Sequence, residues 1–212
     1  MTALWRAAGR DPLAAGATVL LLIIVAAGLL WPLLPIPDPA AVGVGPRLAP
    51  PSRSFLLGTD TLGRSLLSRT LQGVRTTLLL STSAVLLSGL LGALAGIVGG
   101  YRPGLLDESF SRIADVMFSF PPVLLGILVT AVYAPGRMSA IAVIALFTLP
   151  TLLRVVRAAT LTVRHRDFVV IAEVIGASFA RRVLVHLLPN VATAIVVQMV
   201  YSVSFGMLVE SA

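Results

Sequence analysis

The sequence predicts an all-α fold, a polytopic bundle of transmembrane helices. Of its 212 residues 57% are hydrophobic and only 12% are charged, whereas soluble domains carry about 25% charged residues. The mean hydropathy is +0.98, and five segments are apolar over about 20 residues, the length that crosses the hydrocarbon core of a bilayer. With so little polar surface, most of the chain must be solvated by lipid.

The five predicted spans follow one another through a single transmembrane domain that covers residues 1–212. The first is preceded by Arg6 and Arg10, and the third contains Pro121 and Pro122, which predict a kink. The predicted spans are residues 13–34, 74–100, 113–133, 138–159 and 187–209.

Arginine counts predict the orientation. With a cytoplasmic N-terminus, ten arginines lie on the inside and six on the outside, and positive charge is retained on the cytoplasmic side of membrane proteins. Residues 35–73 then form an external segment, and residues 160–186 form a cytoplasmic loop.

The residues that are missing exclude several classes of chemistry. All sixteen basic residues are arginines, so the chain has no phosphate-loop lysine and cannot be a conventional ATPase by itself. It has no cysteine, and its two histidines, His165 and His186, have no carboxylates at ligand spacing. The sequence therefore predicts neither a metal site nor a catalytic site, and its basic charge is explained without nucleic-acid binding.

The external segment has two parts. Its first half is rich in proline and should be extended. From about Asp60, apolar residues recur at helical spacing at Leu62, Leu66, Leu67 and Leu71, which predicts an amphipathic helix lying at an interface.

The cytoplasmic loop carries an apolar stripe. Phe168, Ile171, Ile175 and Phe179 repeat with helical spacing in a segment that is otherwise too polar to cross lipid. Such a stripe either packs on the protein's own helices or docks onto another protein.

The segment from Asp167 to Ser178, followed by His186-Leu187-Leu188-Pro189-Asn190, resembles the EAA loop of bacterial ABC importer permeases. In that family the loop forms a coupling helix that sits in a groove of the ATPase subunit. Val170 and Ile171 stand where the family usually has glutamate and alanine, and it is open whether Glu173 replaces that acid. The resemblance implies a coupling site at Asp167, Phe168, Ile171, Ala172, Glu173, Ile175, Gly176, Ala177 and Ser178.

Two further stretches are similar to the C-type permeases of dipeptide, oligopeptide and nickel importers. One is Gly58-Thr59-Asp60-Thr61-Leu62-Gly63-Arg64, and the other is Tyr101-Arg102-Pro103-Gly104 with Asp107, Arg112 and Asp115 after it. Together with the loop, they extend the resemblance over residues 55–190.

The resemblance implies a subunit of a type I ABC importer, in a bacterial inner (plasma) membrane, that moves dipeptides or oligopeptides by alternating access. The implied partners are a homologous B-type permease, two ABC ATPase subunits and an extracytoplasmic substrate-binding protein. ATP and magnesium would bind to those ATPases, so no cofactor is expected in this chain. The family has a sixth span, which this sequence does not contain; either a final helix is missing or the protein is a shortened form.

Two other functions stay open. The chain could be a permease for nickel or another small solute, or an ion-coupled secondary carrier. A carrier should have ionisable groups on its pathway. Asp115 is the one acidic residue within the predicted spans, and its expected role is structural pairing to water or Arg112. In the second span, Gly89, Gly92 and Gly96 share a face and predict close helix packing.

Overall fold

The structure is a computed structural model that describes residues 12–211, so Arg6 and Arg10 lie outside the described residues. Within residues 12–211 the secondary structure is helical, and the predicted all-α polytopic fold is confirmed. The helices are α1 Pro12–Leu30, α2 Leu66–Tyr101, α3 Leu105–Ser119, α4 Pro122–Val132, α5 Arg137–Arg164, α6 Asp167–Val174, α7 Phe179–Arg181 and α8 Leu188–Ser211. A 3₁₀ turn, Trp31–Leu33, follows α1, and a π-helical segment, Arg182–Leu187, joins α7 to α8.

Among residues 12–211, four helical stretches are long and apolar enough to cross a membrane, namely Pro12–Leu33, Leu66–Tyr101, Arg137–Arg164 and Phe179–Glu210. A fifth candidate is α3 together with α4, if this bent pair counts as one span. α2 has 36 residues and is therefore about 54 Å long. That exceeds the roughly 30 Å of a hydrocarbon core, so α2 must extend into the polar region of the membrane.

The third predicted span is broken rather than kinked. α3 ends at Ser119. Its axis differs by 98° from the axis of α4, taken over Leu124–Val132. Phe120 and Pro121 have extended backbones, with ψ of 128° and 138°. A residue that precedes proline is pushed out of the helical region, and proline itself has no N–H to donate. Two consecutive prolines therefore end one helix and start the next.

The chain divides into two compact units, one up to Leu79 and one from Leu80. In the first unit α1 packs against the beginning of α2. The closest approach is at Gly28, where a Cβ atom would lie 2.6 Å from Cγ1 of Val74. A larger residue at position 28 would force these helices apart, so glycine is required there.

The segment from Gly58 to Ser65 is a turn held by one carboxylate. Oδ1 of Asp60 accepts the N–H groups of Leu62 at 2.8 Å and Arg64 at 3.0 Å. Oδ2 accepts Nε of Arg64 at 2.7 Å and a guanidinium N–H of Arg69 at 2.5 Å. Gly58 and Gly63 have φ of +78° and +71°, a conformation that favours glycine. The prediction of a helix from about Asp60 was wrong, because Asp60 organises a turn and the helix begins at Leu66.

The four hydrogen bonds also set the charge of Asp60. Desolvation is the largest single effect and raises the pKa of this carboxyl group. The bonds donated by the Arg64 backbone and side chain, the Leu62 backbone and Arg69 together outweigh desolvation and lower the pKa well below its ordinary value. Asp60 is therefore ionised at neutral pH.

In the second unit α2 packs closely against α5 through small residues. A Cβ atom at Gly92 would lie 3.0 Å from Cβ of Leu152, and one at Gly96 would lie 2.8 Å from the carbonyl oxygen of Leu153. The predicted close packing of the second span is thus confirmed for these two glycines. Gly89 contacts a different helix, since its Cβ would lie 2.8 Å from Cε of Met199 in α8. Ser88 and Thr148 add a hydrogen bond of 2.7 Å between α2 and α5.

Candidate functional site

The predicted docking helix exists as α6, between α5 and α7. Arg166 before it is extended, and Asp167 stands in the first turn, where a negative charge is favourable. The helix ends in a Schellman motif: the N–H of Ala177 donates to the carbonyl of Ala172 at 3.0 Å, and that of Gly176 to Glu173 at 2.9 Å. Gly176 has φ of +79° and open space around its Cβ position, so the backbone alone demands glycine there.

α6 has a buried side and an exposed side. Val169 and Ala172 are 1% and 4% exposed and pack towards the rest of the protein. Phe168, Ile171 and Ile175 are 41%, 58% and 76% exposed. We call these three residues the apolar face. α6 is not among the candidate spanning helices, and the described residues leave these three side chains largely uncovered. An exposed apolar cluster of this kind is available to a partner.

The helical spacing predicts that Phe179 continues this stripe, and that prediction was wrong. The left-handed backbone at Gly176 ends α6, and Ser178 caps α7 by accepting the N–H of Arg181 at 3.3 Å. Phe179 instead contacts the end of α2. Its ring lies 5.5 Å from that of Tyr101, edge to face, and 4.3 Å from the guanidinium of Arg102.

Arg182 extends this contact to α6. Its guanidinium lies 5.5 Å from the ring centre of Tyr101 and forms an ion pair with Glu173. Arg164 also donates a hydrogen bond of 3.2 Å to the carbonyl of Gly100. We call Tyr101, Arg102, Phe179 and Arg182 the aromatic–arginine cluster. The cluster attaches the C-terminal side of the predicted docking loop to the end of α2, and Arg164 attaches the N-terminal side. A displacement of α6 would therefore be transmitted to a spanning helix.

The remaining predicted site residues have structural positions around the apolar face. Asp167 begins α6, Ala177 and Ser178 form the turn after it, and Glu173 is held by Arg182. Val170, where the family usually has its acid, is exposed. The structure therefore brings all nine predicted residues into one short helix and its C-terminal turn.

The beginning of α8 explains the His186-to-Asn190 element. Pro189 cannot donate a backbone hydrogen bond, and its ring would clash with a carbonyl one turn earlier in a regular helix. The chain widens into a π-helical segment at this point, where Leu188 donates to Val183. The side chain of Asn190 donates to the carbonyl of His186 at 2.7 Å, which satisfies an acceptor left free by the irregular turn.

Sequence reasoning missed the ion pairs between α3 and α5. Asp107 accepts two hydrogen bonds from Arg157, one of 2.7 Å, and Asp115 pairs with Arg154. The expected partner of Asp115, Arg112, instead pairs with Glu108 at 3.5 Å. Arg154 and Arg157 both lie on α5, which continues as a helix to Arg164, five residues beyond the predicted end of the fourth span. The useful signal was the eight-residue spacing of Asp107 and Asp115, which puts both on one side of a helix.

Comparison with known proteins gives the family. Residues 88–210 match the family described as "Binding-protein-dependent transport system inner membrane component". The chain is 34% identical over 210 residues to the di/tripeptide transport system permease protein DppC of Pseudomonas aeruginosa, covering 96% of this chain and 69% of that protein.

Two other relatives are also permease proteins of transport systems. The dipeptide transport system permease protein DppC of Haemophilus influenzae is 33% identical, over 90% of this chain and 66% of its own length. The glutathione transport system permease protein GsiD of Pectobacterium atrosepticum is 35% identical, over 76% of this chain and 53% of its own length. The chain spans about two thirds of the length of the first two of these relatives. It belongs to the family of inner membrane components of binding-protein-dependent transport systems and is similar there to dipeptide and peptide transport permeases.

Proposed function

We propose that this multi-pass membrane protein is one of two channel-forming subunits of an ATP-driven importer of dipeptides or oligopeptides. In this proposal the chain hydrolyses no ATP. It converts closure of partner ATPases into a change of access in the membrane, which is alternating access between two conformations.

The apolar face of α6 is the observation that carries the proposal. Phe168, Ile171 and the C-cap Ile175 are exposed, and so are the neighbouring Val170 and Val174. The helix that carries them lies outside the candidate spanning segments. Exposed apolar clusters of this kind favour a protein partner. A groove on an ATPase subunit that buries the exposed 41% of Phe168 would gain about 0.6–1.2 kcal/mol from this side chain.

The way the loop is attached supports a coupling role. α6 follows α5 after only two residues, and the aromatic–arginine cluster fixes the other side of the loop to α2. A partner that moves α6 would therefore move α5 and α2 together, because close-packed elements shift as bodies rather than deform continuously.

The partners follow from the same proposal. They are a homologous B-type permease, two ABC ATPase subunits that bind ATP and magnesium, and an extracytoplasmic substrate-binding protein. The family description names a binding protein, and the relatives' names include di/tripeptide and dipeptide transport. For α6 to meet the ATPases, residues 160–186 and the N-terminus must face the cytoplasm, as the arginine distribution indicates.

Substituting the apolar face tests the coupling role. Phe168→Asp should insert normally, since position 168 is exposed and outside the spans, but it should abolish peptide uptake and the ATPase stimulation that accompanies it. Phe168→Leu is the matched control and should retain both, because it keeps an apolar side chain at the contact. Undiminished uptake by Phe168→Asp in a correctly inserted transporter would rule out docking through this face.

The energy source separates the importer from an ion-coupled carrier. Uptake by the complete transporter should stop when ATP is depleted and should survive collapse of the ion gradients. The opposite pattern would assign the chain to the secondary carriers. Competition by nickel complexes rather than by peptides would leave the mechanism in place and change the substrate.

A further inference from the structure

We infer that a cleft between α5 and α8 is a stretch of the translocation pathway that contacts the backbone of a passing peptide through uncharged polar groups. This inference rests on the proposed function and adds a location and a chemistry to it. The cleft has a volume of about 290 Å³. It is lined by the polar side chains of Thr148, Thr151, Gln198, Tyr201 and Ser202.

The cleft lies within the hydrocarbon depth of both helices. Between Arg137 and Arg154, α5 has sixteen consecutive uncharged residues, which rise about 24 Å. In α8 the residues from Leu188 to Val209 are uncharged, and Gln198 lies at the middle of this stretch, with Tyr201, Ser202 and Phe205 between it and the C-terminal end. Transporter substrate sites are commonly found near this depth, where spanning helices line a cavity.

Several polar groups in the cleft lack partners among the described residues. Ser88 and Ile144 satisfy Thr148, and Gln198 reaches Ser202 only at 3.5 Å. No described residue hydrogen-bonds to the hydroxyl groups of Thr151 and Tyr201 or to the amide oxygen of Gln198. A polar group that faces lipid without a hydrogen-bond partner raises the free energy of the folded protein. These groups are better explained if water or a polar ligand occupies the cleft.

Tyr201 points to the same conclusion. Its side chain is 65% exposed, although it lies about thirteen residues, or 20 Å, along the axis from Leu188. Tyrosine is enriched at the two membrane surfaces, where its hydroxyl group reaches water, and this position is far from either end of α8. A water-filled pathway would hydrate the hydroxyl group there.

The lining fits a peptide bond better than a charged solute. Hydroxyl and amide side chains both donate and accept hydrogen bonds, so they can bind the N–H and C=O groups of a peptide in either direction. Phe147 and Phe205 stack at 5.1 Å and supply an apolar wall for side chains. None of the residues that line this cleft is charged. Contacts of this kind select for a peptide backbone while tolerating varied side chains.

Cysteine accessibility tests the inference, because the sequence contains no cysteine. Gln198→Cys and Thr151→Cys would be introduced separately into the full-length permease, assembled in the complete transporter in proteoliposomes. The control is Val200→Cys, since Val200 is exposed on the opposite side of α8. A charged, water-soluble thiol reagent should label both cleft variants and leave the control unlabelled. A transported dipeptide should slow that labelling several-fold.

The outcomes separate the two proposals. If the unsubstituted transporter takes up dipeptides but the Gln198→Cys thiol is unreactive in every nucleotide state, the cleft is covered by lipid or by a helix of the partner permease, and the inference fails. Labelling that a transported dipeptide does not slow also overturns it. Failure of the proposed function would appear separately, as absence of ATP-dependent peptide uptake by the unsubstituted transporter.

Discussion

Two segments that resemble family motifs, the turn at Gly58–Ser65 and the loop around α6, differ in where their side chains are satisfied. In the turn, Asp60 binds four donors and Thr59 is 3% exposed, with its hydroxyl group accepting the N–H of Ala49 at 2.9 Å. In the loop, the side chains of the apolar face are left largely uncovered by the described residues. A motif whose polar side chains are hydrogen-bonded within the protein stabilises the fold. A motif whose apolar side chains stay exposed favours binding to a partner.

The turn should respond most strongly to substitution. Asp60→Ala removes all four acceptor contacts at once and leaves Arg64 and Arg69 without their shared anion. We expect the turn to open and trypsin to cleave at Arg64 and Arg69 in the purified protein, where the wild-type chain is resistant. Limited proteolysis followed by mass spectrometry measures this.

Asp60→Asn is the matched control for that substitution. Its amide oxygen can still accept the N–H groups of Leu62 and Arg64, but the second carboxylate oxygen and the charge are lost. Cleavage should therefore be intermediate. Equal resistance of Asp60→Ala and the wild type would show that the carboxylate does not hold the turn, and the contrast between the two segments would be lost.

A smaller effect is expected at Gly176, because only the backbone is constrained there. Gly176→Ala places a Cβ in a left-handed conformation, which costs about 1–2 kcal/mol. The Schellman bonds after α6 should open more often, and hydrogen exchange in residues 172–178 should accelerate roughly 5- to 30-fold. Gly73→Ala is the control, since Gly73 is helical and has open space around it. Equal exchange in the two variants would contradict the role given to the positive φ.

The fold was more predictable than the ends of its helices. Apolar length found the spanning segments, and the spacing of Gly92 and Gly96 found a helix contact, because both are local properties of one helix. The predicted end of the fourth span at residue 159 was five residues short, because α5 continues to Arg164. Arg154 and Arg157 of α5 pair with Asp115 and Asp107, which are about 40 to 50 residues away. The spacing of the two aspartates places them on one side of a helix but does not show which arginines they pair with.

The exposure of the predicted docking residues could be read from the sequence for a related reason. Helical periodicity identified Phe168, Ile171 and Ile175, since the first two lie in α6 and Ile175 is its C-cap. The same periodicity failed at Phe179, because a single glycine with positive φ interrupts the helix before it. The contact of Phe179 with Tyr101 and Arg102 joins elements almost 80 residues apart, which requires the tertiary fold.

The smallest expected effect concerns Glu173, which combines features of both segments. It has an internal partner in Arg182, as Asp60 has in Arg64, yet its side chain is 63% exposed, as the apolar face is. Arg182 is only 13% exposed, but the Glu173 carboxylate is open to solvent, which screens the pair. We expect the pair to contribute at most about 1 kcal/mol, so Glu173→Gln should leave thermal unfolding of the purified protein almost unchanged. We expect ATP-dependent uptake to persist as well, because the amide can still reach Arg182. Loss of uptake at unchanged stability would instead show that the carboxylate contacts the ATPase, and Glu173 would then belong with Phe168 rather than with Asp60.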